Sequence, residues 1–512
     1  MSRRSTWLTA GAAGCLAFGV RLDGALHYAF WQDEVTSARI ALERTPVGVL
    51  HHVAQSESTP PLFYLVGWLI HRIGVPVQDV RIVSALAGAL LAGATVLLAR
   101  RVVPLWASAL AGLAVALGYQ FVFHGRELRA YELHALLTVA LAFAALSFVD
   151  RPGRRNAVVL GLVTAAGALT NYFFLLSVAA VLLWTWTQPL LRPVRRRLTV
   201  AIAAGLIPFA AWTPVLAFQY RHHRFSFIGP FRLHDVLASY WSLFARAEPH
   251  TSVLHTAAPL VMAAAVLAGC VALVRRSDAG RLSALLAVAP LLAAALVWLA
   301  GPRIFDTRNL IGVGPFAALA VAALLTLLPR PAGIAAACAC AALIVFGFVL
   351  GERHAPIAYD RIAGALVSEG WQRSDPIILR GNFYAFRSPL EWYLPQQPPL
   401  TLGLPRGVPC PRVFVISHGS VRQLHNRKPT GRLLVASQGH GACVAAVPER
   451  LIRAKLRASR RCPRRGACSP RDGSSARAAS GRRSSRRSRP APARLAPLQA
   501  AAARRQRRSC RP

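Results

Sequence analysis

The chain has 512 residues, 54% of them hydrophobic and only 16% charged, with a mean hydropathy of +0.41. Its apolar residues gather in runs close to the roughly 20 residues that cross a bilayer, which excludes an ordinary soluble globular protein and predicts a polytopic membrane protein. Lys and Arg outnumber Asp and Glu by 60 to 20, yet residues 450–512 alone hold 21 of those cations and one acid, Asp472, which is half of the net +40.

Hydropathy and flanking charge together predict eleven spans, near 6–22, 81–99, 103–122, 131–149, 157–170, 172–188, 198–216, 252–274, 282–300, 310–328 and 333–350. The fifth and sixth are short and read as a hairpin turning at Asn171-Tyr172. Arg and Lys are retained on the cytoplasmic side. Arg3-Arg4, Arg100-Arg101, Arg154-Arg155, Arg195 to Arg197 and Arg275-Arg276 all fall on one side of this arrangement, so the N-terminus is expected inside a plasma-membrane protein. Residues 60–73 are apolar but too short to cross, and read as an interfacial or re-entrant helix on the outer face that starts at Pro60-Pro61. The first outer loop then runs from about Asp23 to Gln78 and carries a second helical piece led by Asp33-Glu34.

Beyond residue 350 the pattern changes to an amphipathic stretch, Tyr359 to Glu369, and short β-like runs at 376–380, 412–417, 432–437 and 442–447. Residues 351–449 therefore read as a small α/β domain, extracytoplasmic after eleven crossings, in which Cys410 and Cys443 could form a disulfide. The basic tail, residues 450–512, cannot bury a core and is expected to be disordered. Such a tail attracts anionic lipid or nucleic acid, but its low complexity suits a segment with no selected role; it is assigned no function, and no nucleic-acid partner is expected. The cysteines lack metal-ligand spacing, and His51, His52 and His124 lack paired carboxylates, so neither a metal nor a cofactor is expected.

Asp33-Glu34 is the place to look for chemistry, since a carboxylate pair beside a bilayer is costly to keep there. A solvated loop or a helix cap would explain it equally well. The outer face also carries Arg126 and Arg129 with Glu127, then Arg221, Arg224 and Arg232, then Arg303 and Arg308. Arg forks bind phosphate oxygens, so a lipid phosphate at headgroup depth suits this cluster. Snorkelling, or pairing with Glu127, Asp235 and Asp306, is the alternative.

In order and position these residues resemble the GT-C class of membrane glycosyltransferases, specifically relatives of the protein O-mannosyltransferases and of bacterial lipid A aminoarabinose transferases. The Asp-Glu pair of that group is matched by Asp33-Glu34, its Pro-Pro-Leu segment by Thr59-Pro60-Pro61-Leu62-Phe63-Tyr64, and its Glu-x-Arg-x-Tyr-x-Leu turn by Glu127-Leu128-Arg129-Ala130-Tyr131-Glu132-Leu133. Asn171-Tyr172 and Arg308-Asn309-Leu310 are weaker matches, and Thr59 and Asn309 replace the group's usual residues. The resemblance implies a mainly α, polytopic helical fold over residues 1–350, with the small C-terminal α/β domain appended.

It further implies transfer of mannose or another pentose or hexose from a polyprenyl-phosphate donor to a protein, lipid or glycan acceptor outside the cytoplasm, usually with inversion. Asp33 would act as general base and Glu34 would orient it or the acceptor, with the reverse assignment also open. Arg129, then Arg308, then Arg126 would hold the phosphate, with Tyr131, Glu127 and Thr59 beside them. A lipid-linked sugar transporter and a non-enzymatic membrane scaffold are the alternatives; the first normally places ionisable groups at midspan.

Overall fold

A computed structural model describes residues 3–222, 228–245, 253–352, 357–373, 375–380, 383–394, 400–401, 412–418, 432–436 and 442–448. Residues 1–455 form one compact unit, and the second unit, 456–512, lies outside the described residues, as do Arg224, Cys410 and the basic tail. Among the described residues there are 18 α-helices, and seven helical segments are long and apolar enough to cross a membrane: 79–99, 131–150, 195–222, 257–274, 278–299, 307–325 and 330–352. The chain is a multi-pass membrane protein.

The other four expected crossings are helical too, with differences that have physical causes. The expected span 103–122 is broken at Gly118 into Leu105–Leu117 and Tyr119–Gly125, bent by 51°. A break frees carbonyls that lipid cannot satisfy. Here the buried Arg21, on the helix Arg3–His27, donates to the carbonyls of Ala116 at 2.9 Å and Val115 at 3.1 Å. The hairpin forms as Arg154–Ala168 and Phe174–Thr187, of 15 and 14 residues. Small residues bring the helices Arg3–His27 and Ile82–Ala99 together: a Cβ on Gly14 would lie 3.1 Å from the Ala89 carbonyl oxygen, and one on Gly93 as close to that of Ala10.

The first loop folds into three helices, Gln32–Ala41, Pro46–Ser56 and Leu62–Arg72. Thr45 caps the second, accepting from Gly48 N at 3.0 Å with Pro46 at the first helical position, and Gly74 follows the third at φ +103°. Their apolar faces close on Phe30, Val35, Val49, Val53, Phe63 and Val80. At 11 residues, Leu62–Arg72 is too short to span.

The C-terminal part holds the helices Tyr359–Ser368 and Phe383–Tyr393 and strands β1 (Ile377–Arg380), β2 (Leu400–Thr401), β3 (Arg412–His418), β4 (Arg432–Ala436) and β5 (Ala442–Pro448). They form one sheet in the order β2-β1-β3-β5-β4, with β1 parallel to β2 and β3, and β5 antiparallel to β3 and β4. Its second helix supports the first loop: Phe30 N donates to the Tyr393 hydroxyl at 2.7 Å, and Trp392 meets the Phe30 ring edge-on at 5.8 Å.

Candidate active site

A cavity of about 440 Å³ opens between the first loop, the turn before Tyr131, the hairpin turn and the segment 304–309. Asp33 lines it from the second position of its helix, with a carboxylate oxygen 3.2 Å from the Arg308 guanidinium. Both side chains keep about a quarter of their surface open, 27% and 24%. Arg308 is aimed by Asp306, which caps the turn Thr307–Val313 by accepting from Arg308 N at 3.1 Å and holds the guanidinium Nε at 2.9 Å.

Arg129, the second cation of the cavity, is buried, donating to Glu57 at 2.7 Å and to the Ser37 hydroxyl at 3.2 Å. Burial acts most strongly, against its charge, but Glu57, Tyr64, Tyr131 and Asp33 together outweigh it and hold the guanidinium well above its usual range. Both guanidiniums lie about 6 Å from the Tyr131 ring, at 5.8 Å for Arg129 and 6.0 Å for Arg308. The opposite wall is neutral and polar. Tyr172 donates to Gln219 at 2.6 Å and accepts from Trp212 at 3.0 Å, and Gln219 is fixed in turn by the Val53 carbonyl at 3.0 Å. Beside them the buried Asn171 Nδ2 has no acceptor among the described residues.

Of the eight site residues expected from sequence, Asp33, Thr59, Arg129, Tyr131 and Arg308 line this cavity. Glu34, Arg126 and Glu127 line a second one of about 300 Å³. Glu34 is sealed: its two oxygens take the Arg81 guanidinium fork at 2.6 Å each, and one also accepts from Leu128 N at 2.7 Å. Burial raises its pKa while Arg81 opposes the rise. Glu127 bonds His124 at 2.8 Å, and burial first, then the charge of Asp33, push its carboxyl up to about 8. Arg126 is held by the Val20 carbonyl and by Glu352 at 2.6 Å. Arg221, Arg232 and Arg303 are exposed and line neither cavity.

Sequence reasoning missed Glu57, Arg81 and Gln219. Glu57 alone left a signal, as an acid two residues before Thr59 in a loop facing arginines.

The fold is that of the GT-C class of membrane glycosyltransferases, and the resemblance seen in the sequence holds. Residues 58–218 match the family model described as dolichyl-phosphate-mannose-protein mannosyltransferase. Among solved structures, ArnT from Cupriavidus metallidurans in the apo state superposes with a TM-score of 0.52 at 14% identity, over 87% of this chain and 98% of that one. The same protein bound to undecaprenyl phosphate gives 0.49 at 14% identity, over 86% and 97%. The Archaeoglobus fulgidus oligosaccharyltransferase AglB, in complex with an inhibitory peptide and a dolichol-phosphate, gives 0.49 at 11%, over 80% and 69%. No curated protein sequence matches the chain.

Proposed function

We propose that the chain transfers a pentose or hexose from a polyprenyl-phosphate donor to a hydroxyl of an acceptor outside the cytoplasm, with inversion and with Asp33 as general base. One observation carries this reading: a partly open carboxylate and two preorganised guanidiniums share one cavity with a neutral polar wall. The family match over residues 58–218 supports a polyprenyl-type phosphate as the carrier.

The acceptor hydroxyl forms a bond to the anomeric carbon as the bond to phosphate breaks, and its proton passes to Asp33. Asp33 is engaged by Arg308. A donor phosphate competes for that guanidinium, leaving the carboxylate free for the proton. Charge grows on the departing phosphate, where Arg308 and Arg129 stabilise it more in the transition state than before. Glu57 and Ser37 hold Arg129 in place, and Tyr131 backs both cations. Asn171, whose Nδ2 has no acceptor among the described residues, would donate to a sugar hydroxyl, while Gln219 holds Tyr172 in place. In this reading Glu34 is a positioning residue that ties the start of the Asp33 helix to Arg81.

The test is sugar transfer by purified protein from a labelled polyprenyl-phosphate sugar, with Asp33→Asn beside the wild type. Full transfer by the variant removes Asp33 as base. Movement of the lipid-linked sugar across proteoliposomes without cleavage would favour a transporter instead.

A further inference from the structure

The helices Arg154–Ala168 and Arg195–His222 both run toward the cavity: Asn171 just after the first, and Gln219 near the end of the second, form its wall. At their opposite, N-terminal ends the same two helices enclose a separate groove of about 830 Å³. Its floor is apolar and made of small residues. A Cβ on Gly161 would lie 3.2 Å from the Ala201 carbonyl oxygen, and one on Gly205 would collide with the carbonyl of Gly161, so the two backbones approach as only glycine permits. Exposed Val158, Leu162 and Val200 rim this floor.

Arg154, Arg196 and Arg197 stand at the head of the groove, and among the described residues no carboxylate lines it. Other arginines at helix ends are engaged by the protein: Arg101 pairs with Asp150 at 3.1 Å, Arg281 with Asp278 at 2.8 Å, and Arg276 bonds Thr326. Among the described residues Arg154, Arg196 and Arg197 make no ion pair or side-chain hydrogen bond. An apolar trough headed by three uncompensated guanidiniums matches, end for end, the acyl chains and phosphate of a lipid. The groove lies at the far end of the helices from Asp33 and offers no base, so its occupant is a resident of the membrane and not the reacting donor.

We propose that this groove binds an anionic phospholipid, its phosphate held by Arg154, Arg196 and Arg197 and its acyl chains laid along the Gly161–Gly205 floor. The site is independent of the proposed activity.

The full-length protein is reconstituted in nanodiscs of equal phosphatidylglycerol and phosphatidylcholine, released, and its retained lipid counted by native mass spectrometry. Wild type should retain phosphatidylglycerol in preference by at least about tenfold. The variant R154Q/R196Q/R197Q should lose that preference. Ala204→Trp fills the groove and keeps its charges, and should lower retention of phosphatidylglycerol. R155Q/R192Q removes cations that do not line the groove and should leave the preference intact. The proposal is overturned if the triple variant keeps the preference, if R155Q/R192Q loses it equally, or if added undecaprenyl phosphate is retained in place of phosphatidylglycerol. Should the triple variant fail to fold, Ala204→Trp decides, since undiminished retention by it also overturns the proposal.

Discussion

Two regions meet at the start of the helix Gln32–Ala41: the cavity that receives Asp33 and the sealed seam that receives Glu34. Successive helical residues point about 100° apart, so one carboxylate faces open space while the next faces the interior. Asp33 and Arg308 stay partly open to solvent, so water screens their attraction more than it does that of a sealed pair. Glu34 and Arg81 are each 2% exposed, and breaking a buried pair by removing one partner costs about 3–5 kcal/mol. The cavity's pair can therefore be exchanged for a ligand at little cost, whereas the seam's pair serves as a fixed joint. Under the proposed function, two adjacent acids divide the work of reaction and support.

The sharpest way to break this comparison is Asp33→Asn. Sugar transfer should fall about 10²–10⁴-fold with the unfolding temperature close to wild type, checked by labelled-sugar transfer beside thermal unfolding in the same detergent. Glu34→Gln should show the opposite profile. It leaves the buried Arg81 without a counter-charge, so stability should drop by about 3–5 kcal/mol, read as a lower unfolding temperature and a poorer folded yield. Equal stability of Asp33→Asn and Glu34→Gln would erase the distinction between the two regions.

Arg308→Gln comes next. It should lower kcat about 10²–10³-fold, measured at saturating donor, with a smaller change in stability because its partner is partly solvated. A change in KM alone would mean that the cation binds the ground state and the transition state equally.

The last test lies in pH, where the effect per pH unit is small. Burial holds the Glu127 carboxyl at about 8 against an ordinary 4.5, so between those values the folded chain keeps a proton that the unfolded chain has lost. Stability from this group is fully present below about 4.5 and is lost as pH rises to about 8, at no more than about 1.4 kcal/mol per pH unit. Glu127→Gln should flatten that slope in unfolding scans from acidic to alkaline pH. Asp33→Asn removes one of the charges that raise Glu127 and should move the end of the window downward. An unchanged upper end of the window in Asp33→Asn would show that the two regions are electrostatically separate.

The sequence by itself determined the helices, their membrane class and the loop that carries Asp33 and Glu34, because transfer of apolar side chains from water is a local property that each run carries within it. The turn at Asn171-Tyr172 and the short helix after Pro60-Pro61 were legible for the same reason. The break at Gly118 was not, since it depends on Arg21 reaching carbonyls 94 and 95 residues away. Nor was the parting of Asp33 from Glu34. Asp33 meets Arg308 across 275 residues and Glu34 meets Arg81 across 47, and which acid faces which cation is fixed only when packing sets the rotation of their helix. Charge and hydropathy gathered the acids and arginines at one end of the bundle; only the tertiary structure decided which would face an open cavity and which would be locked away from it.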